Sequence, residues 1–361
     1  MQGKVLVAPR KQCLPVAKSV RKSGGAFVEH HHTELHASEM GLLWISYITD
    51  TMSICVLKHG LQHVEDPDIR SLSETTLQYA EKNIQWRATL FTNEQFPVPQ
   101  GFTSSDVNVE APKLYSDTFY LLYVHSMAVA GLRSHAAALA SVCRTDVREH
   151  FGDCLHQCEY LKHESTDIQL KQGVFVKSPA ITKPDKVTFV QSDDYLTGFF
   201  GQKRPLNAIE ISHLYMNMVA NALGRALLLG FAQIAQSEQV RRYVERGIQI
   251  GKKHTRIFAD QLVHSNLPSP MSWDSEVTDS TADTFSDKLI MYHTTLLNGI
   301  SIGNYGVGVG TSSRRDLAFM YTRLMAEVGL YSEDGTEIII EHGWMEEPPM
   351  ADDRHQLAVR H

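Results

Sequence analysis

The chain repeats itself. Leu35, Ala37, Glu39, Leu43 and Trp44 have counterparts in Leu206, Ala208, Glu210, Leu214 and Tyr215 at a constant offset of 171 (210 minus 39). The register holds through Ile69-Arg70 against Val240-Arg241, and through Phe96-Pro97-Val98-Pro99 with Phe102 against Leu267-Pro268-Ser269-Pro270 with Trp273. One residue is then lost. The offset becomes 170 (287 minus 117), as in Ser116-Asp117 against Ser286-Asp287, Arg144 and Asp146 against Arg314 and Asp316, Gly173 against Gly343, and Pro179 against Pro349. A spacing kept over a whole domain with a single gap means that loop lengths are shared as well as apolar positions, so the chain is two copies of one fold.

Within each copy the apolar pattern has helical period. In the second copy Ile211, Leu214, Tyr215, Met218, Val219 and Ala222 recur at three and four, as expected for one face of a helix. Strand signals are nearly absent; the best candidates are Val187 to Val190 and Ile338 to Ile340, and the latter reads better as the continuation of a helix. The predicted class is all-α, two tandem four-helix bundles related by internal duplication. Helices are expected at 35–63, 67–95, 115–142 and 145–172, then at 206–235, 237–265, 285–310 and 312–341. Asp66-Pro67 opens a helix, the Pro-x-Pro pairs forbid one, and Ser116 and Ser286 suit the cap of the third helix of each copy. The organisation is then a basic N-terminal arm at 1–33, a first bundle at 34–179, a linker at 180–205, a second bundle at 206–349 and a tail at 350–361. The aromatic run Phe189, Tyr195, Phe199 and Phe200 implies a linker that packs. Gly303, Gly306, Gly308 and Gly310 near the end of one helix imply close backbone approach rather than a phosphate loop, since no GxxxxGK[ST] exists.

Composition excludes several classes. With 43% hydrophobic and 21% charged residues in 361 the chain is ordinary globular protein, and its length suits two domains. A net charge of -7 leaves no footprint for nucleic acid or an anionic membrane. Lys, Arg and Pro interrupt the apolar runs of the N-terminus, so no signal peptide is expected. The longest apolar stretches, such as Ala226 to Ala235, fall short of the roughly 20 residues of a membrane span. The expected location is the cytoplasm. Cys13, Cys55, Cys143, Cys154 and Cys158 include no CxxC pair and read as reduced thiols.

The runs GFTSSDVNVEAPKLYSDTFYLLY and RTDV in the first copy, with RPLNAIEISHLYMN, VTDSTADTFSDKLIMYH, RRDL and GWMEEPP in the second, resemble a family of bacterial proteins of unknown function (domain of unknown function 3231) found chiefly in endospore formers. The resemblance spans roughly residues 35 to 349. It implies a ferritin-like four-helix bundle for each copy and an association with sporulation, some members being labelled spore coat proteins. It brings no activity. The segment 1–33 departs from the family pattern.

Ferritin-like bundles often hold two metals through one Glu on each of two helices and Glu-x-x-His on the others. The second copy offers Glu210 and His213 at that spacing, His254 on the second helix, and Asp287 and His293 on the third. The first copy keeps Glu39 and Asp117 but has Leu42, Asn83 and Tyr123 in place of the histidines. Whether the three histidines meet depends on the connection before the third helix: a short return brings them to one end, whereas a crossover along the bundle scatters them. Glu39 and Glu210 have a plainer reading as carboxylates near helix N-termini. Arg144 with Asp146 and Arg314 with Asp316 read as structural pairs. His156 and Glu159 beside Cys154 and Cys158 fall short of a nucleophile, because helix-interior thiols are usually inert.

Two functions follow. The first is a non-enzymatic, self-assembling structural protein of the spore, with no cofactor and with its own copies as partners through the arm. Cys13, His30, His31 and His32 are the assembly candidates there. The second is a metal-binding protein holding iron, manganese or zinc in the second bundle only. The arm carries six Lys or Arg against one Glu, which leaves 28 basic and 40 acidic residues elsewhere (34 minus 6, 41 minus 1), so arm and body attract.

Overall fold

A computed structural model describes residues 34–199, 203–269 and 272–359. Eight helices of 25 to 28 residues dominate the described residues: α1 (Ala37–His63), α2 (Pro67–Asn93), α3 (Asp117–Ser141), α4 (Thr145–Gln172), α5 (Ala208–Ile234), α6 (Glu238–Val263), α7 (Asp287–Thr311) and α8 (Arg315–Glu341). A short α9 (Arg354–Val359) follows. Every long helix lies within three residues of its sequence expectation, and Ile338 to Ile340 continue α8. Val187 to Val190 form no strand. The linker packs only in its second half: Val187 and Phe189 are 86% and 81% exposed, whereas Tyr195 lies beneath the Arg204 guanidinium and Phe199 meets Phe319.

Sequence chemistry sets the helix ends, and the copies use it alike. Asp66 accepts from the backbone of Asp68 and Ile69, with Pro67 at the first helical position. Ser116 and Ser286 accept from Phe119 and Leu289 at the same 3.1 Å. Asp117, at the start of α3, also accepts from the backbone N–H of Glu65 and Asp66 in the α1–α2 turn; Asp287 does the same for Gln236 and Ser237. The third helix of each copy therefore begins beside the turn between the first two. Residues 94–116 and 264–286 must travel the bundle's length to reach that point. Each bundle is a pair of antiparallel hairpins joined by one long crossover, the connection type of ferritin-like folds.

The crossovers pair with each other. Val107 bridges Phe285 and Tyr115 bridges Val277, and each of these pairs is the repeat image of the other. Ser116 donates to Glu276 and Ser286 to Asp106, from backbone to carbonyl and from hydroxyl to carboxylate in both cases. Tyr123 and His293, counterparts in the two copies, touch each other at 2.9 Å. Residues that meet their own image lie on a two-fold axis, so the bundles form an internal pseudo-dimer. One continuous apolar core spans this junction, with Leu57, Phe119 and Leu121 from one copy and Leu228, Phe231 and Leu289 from the other. Each bundle has a separate distal core, around Leu43, Phe91 and Phe151 in the first and Leu214, Leu262 and Tyr321 in the second.

The inner helices α1 and α5 are consequently apolar over much of their circumference. Their most apolar stretches reach mean hydropathies of 1.5 and 1.2, enough in length and composition to cross a membrane. This corrects the expectation drawn from continuous apolar runs, because Ser, Thr and Asn interrupt the runs without lowering the average far. More than half of each stretch, 56% and 61%, lies inside the fold, as befits a helix buried on several sides.

The glycine run of α7 also departs from expectation. Gly308 faces the Tyr321 ring, but a Cβ at Gly303, Gly306 or Gly310 would meet nothing within 4 Å. Close approach occurs at Gly308, and also at Gly230 on α5, where a Cβ would fall 2.4 Å from the Tyr115 hydroxyl that donates to Leu227. Gly230→Ala should therefore lower stability by about 1–3 kcal/mol through overpacking, while Gly306→Ala should raise it by up to about 1 kcal/mol through helix propensity. Thermal denaturation of the two variants against the parent checks both signs.

Candidate functional site

The five residues proposed as a metal set occupy separate places. Glu210 closes the base of the second bundle: it accepts from the backbone N–H of Asn207 and Arg314 and from both terminal nitrogens of Arg204. Burial works to raise its pKa, but these donors, Arg204 foremost, hold it below the usual carboxylate range. Glu39 does the same work in the first bundle, accepting from His36, Cys143 and Arg144, and its pKa is likewise lowered against burial by backbone donors. Asp287 binds the α5–α6 turn at the opposite end. His293 lies on the pseudo-two-fold axis, against Tyr123 and the Phe231 ring.

Helix geometry shows how far the histidines are scattered. Phe231, which His293 touches, stands 18 residues beyond His213 on α5 (231 minus 213), about 27 Å of helix. His254 bonds Tyr305, 12 residues beyond His293 on α7 (305 minus 293), about 18 Å away. The crossover is the cause, since it starts α7 at the end far from His213. No group of three or more His, Cys, Asp or Glu placed to hold an ion occurs among the described residues. Cys13, His30, His31 and His32 lie outside the described residues. His36 precedes α1 and donates its backbone N–H to Glu39.

A buried polar layer went unnoticed in the sequence. In the second bundle each helix contributes one member: Asn221, His254, Tyr305 and Glu327. The Tyr305 hydroxyl joins Asn221 to His254 Nδ1, and His254 Nε2 lies 3.2 Å from Glu327, which Lys253 also binds. In the first bundle the same four positions hold Asp50, Asn83, His135 and Gln157, where Asn83 donates to Gln157 and Asp50 pairs with the fully buried Arg87. Arg87 also faces Cys154, which lies 3.6 Å from His150, itself stacked on Trp86. Burial pushes the Cys154 and Cys158 thiols up to about 11 and about 12, so neither is poised as a nucleophile. Lining up the copies would have shown polar residues at four matched positions, one per helix. A search within single helices could not.

The other feature is a cavity of about 840 Å³ between the bundles, walled by α1 and α3 on one side and α5 and α7 on the other. Ile48, Met52, Tyr292 and Leu296 line it, together with Gly299 and Gly303, over which space is open. Its polar side carries Arg133, His213 and Asn304. Arg133 donates to Asn304 and reaches the Met216 sulfur at 2.9 Å. Burial, then the charge of Arg133, lowers the His213 pKa.

The axis histidine makes stability depend on pH. Burial depresses His293 to about 4 and His59, beside Phe285 in the same junction, to about 4. Between about pH 6.5 and 4 the unfolded chain binds protons that the folded one refuses, so stability is full above this window and falls as pH drops through it. The loss is at most about 3 kcal/mol for each histidine. His293→Phe should flatten this part of the Tm-against-pH curve, and an unchanged slope would refute the assignment.

Comparison with known proteins follows the duplication. The family model described as Protein of unknown function (DUF3231) matches residues 25–187 and again residues 194–357. The first match begins inside the segment expected to be an arm foreign to the family. No curated protein matches the chain. Among solved structures it is similar to a Bacillus halodurans C-125 protein provisionally called a spore coat protein, at 16% identity and a TM-score of 0.38, covering 42% of this chain and 98% of that one.

Proposed function

This chain belongs to the family described as Protein of unknown function (DUF3231), and from its own geometry we propose that it is a non-enzymatic structural subunit that assembles with further copies, in a sporulating cell or on the spore. The observation that carries this reading is what the charged residues repeated in both copies do. Glu39 and Glu210 tie the start of the first helix to the start of the fourth. Asp117 and Asp287 tie the third helix to the turn between the first two. Arg144 binds Asp146 and Glu94, while Arg314 binds Asp316 and Gln261. All three sets hold helix junctions. The residues that differ between the copies, such as His254 against Asn83, are the chemically versatile ones. A duplication with this division of labour is built as a rigid block.

The outer helices support assembly. Tyr160 and Leu330, counterparts on α4 and α8, are 46% and 62% exposed, and Leu170 and Ile340 form a second exposed pair of counterparts. The spore setting rests on the family resemblance. Residues 1–33, basic against an acidic body, are the proposed connector between blocks.

Light scattering tests this. Deleting residues 1–33 should leave the helical signal and the Tm within about 2 °C of the parent, since the junctions lie elsewhere, while the mass in solution falls. Raising salt should lower the mass of the intact chain but not of the truncated one. Equal masses for both proteins at all salt concentrations would overturn the proposal.

A further inference from the structure

The cavity between the bundles is asymmetric in a structure that is otherwise nearly two-fold. Its walls are repeat images: Ile45 has its counterpart in Met216, and Ala130 in Ile300. At two paired positions the copies have diverged sharply. Arg133 on α3 has Gly303 as its image on α7, and His213 on α5 has Leu42 on α1. The first divergence removes a side chain and the second adds a polar one. At Gly303, as at Gly299 one turn earlier, a Cβ would meet nothing within 4 Å, so these glycines serve space rather than packing.

The resulting space is long and sided. Along α7 its wall runs from Tyr292 to Val307, 15 residues (307 minus 292) or about 22 Å of helix. The Tyr292 end is apolar, with Met52, Ile48 and Leu296. The other end holds Arg133, Asn304 and His213. Among the described residues no Asp or Glu lines the cavity. The hydrogen-bond partners of Arg133 are the neutral Asn304 and Met216, and no carboxylate pairs with it among the described residues. Arg133 is solvent-exposed and stands at one end of an open apolar groove, on a body with 40 acidic against 28 basic residues. It complements an anion.

We infer that this cavity binds a single-chain amphipathic carboxylate, a free fatty acid in chemical class, with its alkyl chain along Gly299 and Gly303 toward Tyr292 and its carboxylate on Arg133. The inference stands whether or not the blocks assemble. Residues 1–33 are a poor alternative occupant, because their six Lys or Arg repel Arg133 rather than neutralise it.

Calorimetric titration of the full chain with octanoate, decanoate and dodecanoate, below their micelle concentrations, tests the site. One equivalent should bind, tighter by roughly fourfold for each added methylene. Arg133→Gln should weaken decanoate by about tenfold and leave decanol unaffected, which separates the charge from the channel. Gly303→Leu should abolish binding of all three acids with an unchanged or higher Tm, because leucine fills open space and favours helix. That variant keeps the test free of misfolding. Absence of saturable binding to the parent, or undiminished binding to Gly303→Leu, overturns the site. Binding that appears only after residues 1–33 are deleted would make the arm the occupant and also overturns it. So would sedimentation with phosphatidylglycerol vesicles in the absence of binding to the monomeric acids, which would identify a lipid surface as the partner.

Discussion

Everything in this fold depends on the mutual pairing of two crossover segments. A crossover that runs the length of a bundle exposes backbone donors and acceptors that must be satisfied. Here each copy satisfies the other: Asn108 donates to Thr284 as Thr278 donates to Leu114, and the Ser–Glu and Ser–Asp contacts repeat the exchange. The pairing brings the crossover ends of both bundles together, and the apolar residues beneath them, Tyr115 and Phe285 among them, merge into one core. Neither bundle presents a complete core at that end without its neighbour. The chain from Leu35 onward is accordingly one compact unit.

Much of this was legible in the sequence, and the illegible parts have physical reasons. Helix positions could be read because two copies report the same apolar period and the same caps, so Ser116 and Ser286 vouch for each other. The structural reading of Arg144–Asp146 and Arg314–Asp316 followed from their recurrence. Convergence of side chains was another matter. Glu210 and His213 have the spacing of a ligand pair, and His254, Asp287 and His293 lie on the next two helices, but spacing fixes only the face of one helix. Which end of α7 stands beside which end of α5 is decided by the crossover, and the sequence left both routes open.

The polar layer and the cavity were hidden for different reasons. Asn221, His254, Tyr305 and Glu327 come one from each helix, so no local window contains two of them. The open face of Gly303 was hidden because small residues in helices signal either contact or vacancy, and only the position of the neighbouring bundle distinguishes the two. The exposed first half of the linker shows a similar limit: Val187 and Phe189 are apolar, yet nothing among the described residues covers them.

Joining the copies in one chain has a consequence for the axis itself. When two identical subunits meet on a two-fold axis, every substitution there is made twice, and an arginine that gains an open space opposite would find another arginine in it. Covalent fusion lifts that restriction. Arg133 can face the room left by Gly303, and Tyr123 can hydrogen-bond to His293, because the two sides are encoded separately. A twin-subunit ancestor could hold only self-complementary chemistry at its centre, whereas this chain can place a donor on one side and its complement on the other.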